Sequence, residues 1–172
     1  AGRAHTVLSV DIYEVKENPY ENEIAAVDSL KPNDVLVGGT NCSTKTALWG
    51  ELLSTASRAR GARGAILDGH TRDIVRIAEM KFPVFATGTR PVDSKGRGIV
   101  LEYGRPVMCG DVIVHEGDIV MADIDGVIVI PREIEEKVIE LSFEKASAED
   151  TVRDELLKGA LLGDVFKKYG VL

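Results

Sequence analysis

The 172-residue chain has only two cysteines, one tryptophan and three histidines. Cys42 and Cys109 are too few and too far apart for a disulfide framework or a zinc knuckle. Both read as free thiols of a reducing, cytoplasmic compartment. His5, His70 and His115 lack metal-ligand spacing, and only His70, shortly before Arg72, is placed to line a pocket. No apolar run approaches the length of a membrane span, and no secretory signal is visible. Positive charge is also scarce: 21 Lys and Arg stand against 28 Asp and Glu, a net charge of −7 with no basic run to offset it. That balance argues against general nucleic-acid binding.

What remains is ordinary for a folded protein: 44% apolar and 28% charged residues, in a chain long enough for one sizeable core. Composition therefore gives a single-domain α/β class and no more. Ala4 to Tyr13 reads as a first strand, Glu23 to Leu30 as a short helix, and Val35-Leu36-Val37 as a second strand. Gly38-Gly39-Thr40-Asn41 looks like a phosphate loop but lacks the G-x-x-x-x-G-K-[ST] spacing, so it is read as a flexible turn lining a pocket.

The stretch Ala47 to Asp73 is the most informative. Gly50-Glu51 enters a helix near Leu52 that runs to about Arg60, with Leu52, Leu53, Ala56 and Ala59 on one stripe. Ala65-Ile66-Leu67 follows as a buried strand, and Asp68 to Asp73 as a polar turn at its carboxyl end, where open α/β sheets tend to place ligands. The amides of Glu51, Leu52 and Leu53 are orphan donors suited to a carboxylate or phosphate. A helix and a returning strand would bring Glu51 beside Arg72 and Asp73. Taken singly, each residue has a plainer reading: Glu51 as a first-turn acid favoured by the helix dipole, Arg72-Asp73 as a surface ion pair, Asp68-Gly69 as turn chemistry. The joint spacing is what points to a pocket for a metal-bound anion.

Farther on, Ile74 to Lys81 reads as a short helix burying Ile74, Ile77 and Ala78, with Asp73 favoured at its start and Arg72 left in need of an anionic partner. Phe82 to Ala86 is a strand, and Thr87 to Gly98 a long polar loop with Arg90 as a candidate rim residue. Ile99 to Ile130 is β-rich, with five short strands between turn signals, the last two joined by a hairpin on Asp125-Gly126. Residues 132–172 read as a helical extension packed on the core (1–131) or on a neighbouring subunit, with helices over Glu133 to Lys145 and Ala148 to Lys158.

Gly50-Glu51, twenty intervening residues and Arg72-Asp73, continued by Pro83-Val84-Phe85, Pro91-Val92-Asp93-Ser94, Gly117-Asp118 and Ala122 to Val127, resemble the RraA-like proteins. That family includes the metal-dependent 4-hydroxy-4-methyl-2-oxoglutarate / 4-carboxy-4-hydroxy-2-oxoadipate aldolases and the regulator of ribonuclease activity A. Glu51 stands where the aldolases usually carry Asp, and Arg76 stands where they carry a further acid. The resemblance implies an α/β/β layered fold like the swivelling phosphohistidine domain, assembled as a homotrimer or dimer of trimers. It also implies a segment before Ala1 in the natural sequence.

For function, the resemblance implies a lyase that cleaves 4-hydroxy-2-oxo acids to pyruvate and decarboxylates oxaloacetate. Asp73 would ligate Mg²⁺ or Mn²⁺, and Arg72 would stabilise the enolate oxygen. The amides around Gly50, Glu51, Leu52 and Leu53 would hold the substrate carboxylate. Glu51, with Glu149 from a neighbouring subunit, would orient waters on the ion. No lysine in the motif is placed for a Schiff base, and no glycine-rich nucleotide motif supports a methyltransferase. The alternative is a noncatalytic RraA-type regulator that binds a ribonuclease or another protein; Asp73 speaks for the enzyme and Arg76 for the binder.

Overall fold

A computed structural model describes residues 1–171 as two compact units, 1–132 and the helices that follow. The first unit is built on one eight-stranded mixed sheet. Its parallel part comprises β1 (Gly2–Asp11), β2 (Asp34–Gly39), β4 (Gly64–Thr71), β3 (Ala47–Trp49) and β5 (Val84–Thr89). β6 (Gly98–Tyr103) and β9 (Ile119–Ala122) run antiparallel against β1, and β10 (Val127–Ile130) closes the edge against β9. A separate hairpin pairs β7 (Val107–Cys109) with β8 (Val112–Val114).

Alternation along the strands gives the sheet two cores. One face sends Val7, Leu36, Ala65, Leu67 and Val100 against α1 (Glu21–Ser29), α2 (Glu51–Ala59) and α3 (Ile74–Glu79). The other sends Ala4, Val35, Val37 and Ile66 against Val107 and Val114 of the hairpin. Helices, sheet and hairpin thus stack as the expected α/β/β layers. Gly39 lets the hairpin lie close on β2: a Cβ there would lie 2.4 Å from the Met108 carbonyl oxygen. The second unit consists of α4 (Glu135–Leu157) and α5 (Leu162–Tyr169), with Val152 and Val165 buried.

Several expectations are corrected. The polar run Asp68-Gly69-His70-Thr71 is not a turn but the second half of β4. Asp68 is buried there because the Thr40 and Cys42 amides donate to its carboxylate at 2.5 and 3.3 Å, which replaces its lost hydration. Gly38-Gly39 belongs to β2 rather than to a flexible turn. Ala47-Leu48-Trp49 forms a strand the sequence pattern did not single out. In α3 only Ile77 is buried; Ile74 is 50% exposed and Ala78 is exposed too. The two C-terminal helices expected across Lys145 to Ala148 form one continuous helix, in keeping with the high helix propensity of Lys145, Ala146 and Ala148. Among the described residues, no helix is long and apolar enough to cross a membrane.

Candidate functional site

The Arg72 amide donates to the Trp49 carbonyl at 2.9 Å, so the exits of β3 and β4 and the entry of α2 share one corner. Asp73 adopts a left-handed conformation (φ 59°, ψ 30°), which Asp tolerates better than most residues. It occupies the N-cap position of α3 yet makes no capping bond there. Its Oδ2 instead accepts the Glu51 amide at 3.1 Å. Asp73 therefore caps α2 across space, where Gly50 has no side chain to do so. The expectation that α3 would favour Asp73 is replaced by this contact with α2.

Gly50 is required for room rather than for backbone freedom, since its φ of −156° is open to any residue. A Cβ there would stand 2.7 Å from Asp73 Oδ2 and 3.0 Å from Arg72 Nε. Glu51 faces the corner with its backbone: its carboxylate accepts the Thr55 hydroxyl at 2.8 Å. The amides of Leu52 and Leu53, in the first turn of α2, have no carbonyl four residues back within the helix. The Leu52 side chain is exposed, whereas Leu53 packs on the helix-side core.

Arg72 lies between two acids. Its Nη1 stands 3.0 Å from Asp93 Oδ1 and its Nε 3.6 Å from Asp73 Oδ2, while Nη1 also donates to the Ala47 carbonyl at 3.3 Å. The fold thus gives Arg72 the anionic partner that the sequence left to the substrate. Asp93 in turn accepts the Tyr20 hydroxyl and the Lys95 amide. Burial pulls the Asp93 carboxyl upward, but the Tyr20 bond, the backbone amides and Arg72 outweigh it and hold the group below the usual carboxylate range. Tyr20, bonded to that carboxylate and partly buried, is pushed up to about 12.

Glu23, on α1, completes the neighbourhood. Burial drives its carboxyl up to about 7, against the pull of Arg72, with Asp93 adding to the rise and Ser94 opposing it. Sequence reasoning missed Tyr20, Glu23 and Asp93 as members of the site. Asp93 stood inside the motif that carried the resemblance, which was a usable signal. Glu23 looked like any acid at a helix start.

The remaining candidates fall elsewhere. Arg90 donates to the Thr44 carbonyl at 2.8 Å and ties two loops together. His70 is partly buried, with Nδ1 lacking a hydrogen-bond partner and a ring that a Cβ on Gly88 would meet at 2.8 Å. Arg76 pairs with Glu79 on the exposed side of α3. Glu149 lies on α4 in the second unit, 3.7 Å from Lys145 Nζ. Asp123 accepts the amides of Asp125 and Gly126, the acceptor role of a hairpin turn. Among the described residues, no group of three or more His, Cys, Asp or Glu could hold a metal ion.

A family profile described as "RraA-like: Aldolase/RraA" matches residues 1–129. An uncharacterized protein of Methanocaldococcus jannaschii is 38% identical over 122 residues, covering 70% of this chain and 58% of its own length. A Halalkalibacterium halodurans protein named "Putative 4-hydroxy-4-methyl-2-oxoglutarate aldolase" is 33% identical over 131 residues, covering 76% of this chain and 61% of that protein. The chain therefore spans about three-fifths of the curated relatives it matches. Among solved structures, a Streptomyces coelicolor protein titled as an unusual member of the RNase ES inhibitor RraA family superposes with a TM-score of 0.79. It is 29% identical, over 88% of this chain and 75% of that one.

Proposed function

The chain belongs to the RraA-like family, which holds both aldolases and ribonuclease regulators, and from that premise we propose that it is a divalent-metal-dependent lyase. Its substrates are 4-hydroxy-2-oxo acids of the 4-hydroxy-4-methyl-2-oxoglutarate type, cleaved by retro-aldol reaction to pyruvate, with oxaloacetate decarboxylated at the same site. The observation that carries the reading is the contact of Asp73 Oδ2 with the Glu51 amide, because it joins the two halves of a motif twenty residues apart.

The residues fit a hard cation such as Mg²⁺ or Mn²⁺. Asp73 is 44% exposed on its side chain, and its hydrogen bond uses Oδ2, leaving Oδ1 for an ion. A single carboxylate can hold an ion that keeps most of its water. When bound, such an ion supplies Lewis acidity to a 2-oxo acid.

The chain's own groups do the rest. The amides of Leu52 and Leu53, at the positive end of α2, receive the substrate carboxylate. The Arg72 guanidinium, held by Asp93 and Asp73, faces the oxygen on which enolate charge develops as the carbon–carbon bond breaks. Gly50 leaves the space in which both side chains meet. Glu149 of a neighbouring copy, in a homotrimer or dimer of trimers, completes the acid set beside Glu51.

The test is pyruvate release from oxaloacetate and 4-hydroxy-4-methyl-2-oxoglutarate, with and without Mg²⁺, for the natural chain and Asp73→Ala. Metal-dependent turnover lost in the variant supports the reading. Metal-independent turnover or an unaffected variant overturns the mechanism. No turnover of either substrate favours a noncatalytic regulator that binds a ribonuclease or another protein, a reading encouraged by the Streptomyces neighbour.

A further inference from the structure

Glu23 takes no part in the steps above, yet it is the most unusual acid in the first unit. It is 9% exposed, and its Oε2 has no hydrogen-bond partner. On one side it borders a void of only about 10 Å³ walled by Val7, Leu36, Leu48, Trp49 and Val100, where little can solvate a charge. On the other side, Tyr20, just before α1, bonds Asp93 in the loop after β5, and Asp93 pairs with Arg72 at the end of β4. These are the charged and titratable groups that act on Glu23, with the Ser94 hydroxyl as its hydrogen-bond partner. Arg72 is the only cation in that set, and Asp93 and Asp73 already lean on it.

We infer that Glu23 is a proton-exchanging positioning residue for Arg72: when a carboxylate ligand settles on the guanidinium, Glu23 takes a proton from solvent onto Oε2, and it releases the proton when the ligand leaves. The inference rests on the lyase reading only in taking Arg72 as the anion-binding group. With Glu23 ionised, two carboxylates touch the guanidinium and a third lies within its electrostatic reach, and a ligand carboxylate would be a fourth. Protonating Glu23 removes one negative charge from that set. The coupling is reciprocal, so the proton must favour the anion as much as the anion favours the proton. Burial already brings Glu23 up to about 7, so the exchange falls at neutral pH.

The test follows the Glu23 carboxyl by ¹³C NMR in the full chain with Mg²⁺ present, using oxalate as the probe anion, beside Arg72→Met, Arg72→Lys and Glu23→Gln. The expected result is a Glu23 transition near neutral pH that moves up in Arg72→Met and on saturation with oxalate. Arg72→Lys, which keeps the charge, should stay close to the natural chain and guards against a Met variant that misfolds. Oxalate affinity should fall with pH above the transition, by up to about tenfold per pH unit for a one-proton linkage, and Glu23→Gln should abolish that slope.

A Glu23 transition in the ordinary carboxylate range, or one indifferent to the charge at Arg72, overturns the inference. So does oxalate that binds without moving it, a result that leaves the lyase reading standing. A transition that follows the Arg72 charge while oxalate fails to bind removes the premise that Arg72 receives a carboxylate, and overturns the anion-coupled exchange together with the lyase reading.

Discussion

The two ends of the sheet carry two ionic clusters built on opposite terms. His5 pairs in register with Leu36, and Leu36 with Ala65, so His5 lies level with the start of β4, whereas Arg72 follows its end. At the His5 end every partner is supplied. His5 Nδ1 stands 2.9 Å from Glu116 Oε1, and Nε2 stands 3.1 Å from the Ala26 carbonyl and 3.0 Å from Ser29 Oγ. The Ser29 hydroxyl spends its own proton on Ala26, so both ring nitrogens face acceptors, an arrangement that favours the protonated ring. Glu116 Oε2 is satisfied in turn by the Thr6 amide at 2.8 Å, while the Thr6 hydroxyl donates to the Arg105 carbonyl at 2.6 Å. At the Arg72 end, Glu23 Oε2 is orphaned and Asp73 uses one oxygen on a neighbouring helix. Closed networks fix a structure, and open ones leave atoms for a ligand. That contrast, rather than charge alone, separates the candidate site from a structural ion pair.

The contrast breaks most visibly at Asp73. Asp73→Ala should lower kcat/KM for pyruvate release by about 10²-fold or more, the scale of losing a preorganised electrostatic group. It should cost only about 1 kcal/mol of stability, for the lost cap on α2, as read in a urea melt. A collapse of stability instead would make Asp73 structural. Gly50→Ala comes next. Its backbone suits alanine, but the new Cβ would press on Asp73 Oδ2 and Arg72 Nε. A shift of about 1 Å at such a site costs up to about 10²-fold in rate. The expected outcome is a folded protein by circular dichroism with at least tenfold lower kcat/KM.

How much of this was legible in the chain depends on the range of each contact. The β-rich stretch after Gly98 could be read strand by strand, because short apolar runs alternate with Gly- and Asp-bearing turns that fix each boundary locally. The Gly50 to Asp73 spacing was legible too, since a helix followed by a parallel strand must return the chain to the same edge. Asp68 was misread because its partners, the amides of Thr40 and Cys42, are far away in sequence, and a charged residue in a strand makes sense only with them. β3 was missed because three residues carry too little periodicity. Its burial depends on Trp49 stacking on Phe82 at 6.5 Å and donating to Ser54 at 2.7 Å. Glu23 was unreadable for the same reason: its helix position is ordinary, and only the tertiary fold buries it.

The closed cluster makes a smaller prediction with a definite sign. Burial works against the charged form of His5, but Glu116, Asp34 and the Ala26 carbonyl together raise its pKa above the ordinary histidine value. A group whose folded pKa is raised contributes stability that is fully present below its unfolded pKa, about 6.5. That contribution fades as pH climbs through the folded value. Urea melts from pH 6 to pH 9 should therefore show the natural chain losing stability relative to Glu116→Gln. At pH 6 the variant should be less stable by about 1 kcal/mol, near the low end because the Glu116 side chain is 42% exposed. A difference that grows with pH would mean that His5 is neutral in the fold.

The smallest effect belongs to Tyr20, at the rim of the open cluster. Its hydroxyl donates to Asp93, which holds Arg72. Tyr20→Phe removes that donor while leaving the Lys95 amide and Arg72 itself on the carboxylate. One hydrogen bond to a charged group is worth about 1.5–3 kcal/mol at most when buried. Asp93 is 40% exposed on its side chain, so water can replace much of what is lost. The variant should keep kcat within about threefold and raise KM by less than about tenfold, because Arg72 keeps its place but is held less firmly. A drop in kcat as large as that of Asp73→Ala would move Tyr20 from a support of Arg72 to a group that touches the reacting atoms. It would also mean that the open cluster extends one residue farther than the hydrogen bonds of Arg72 suggest.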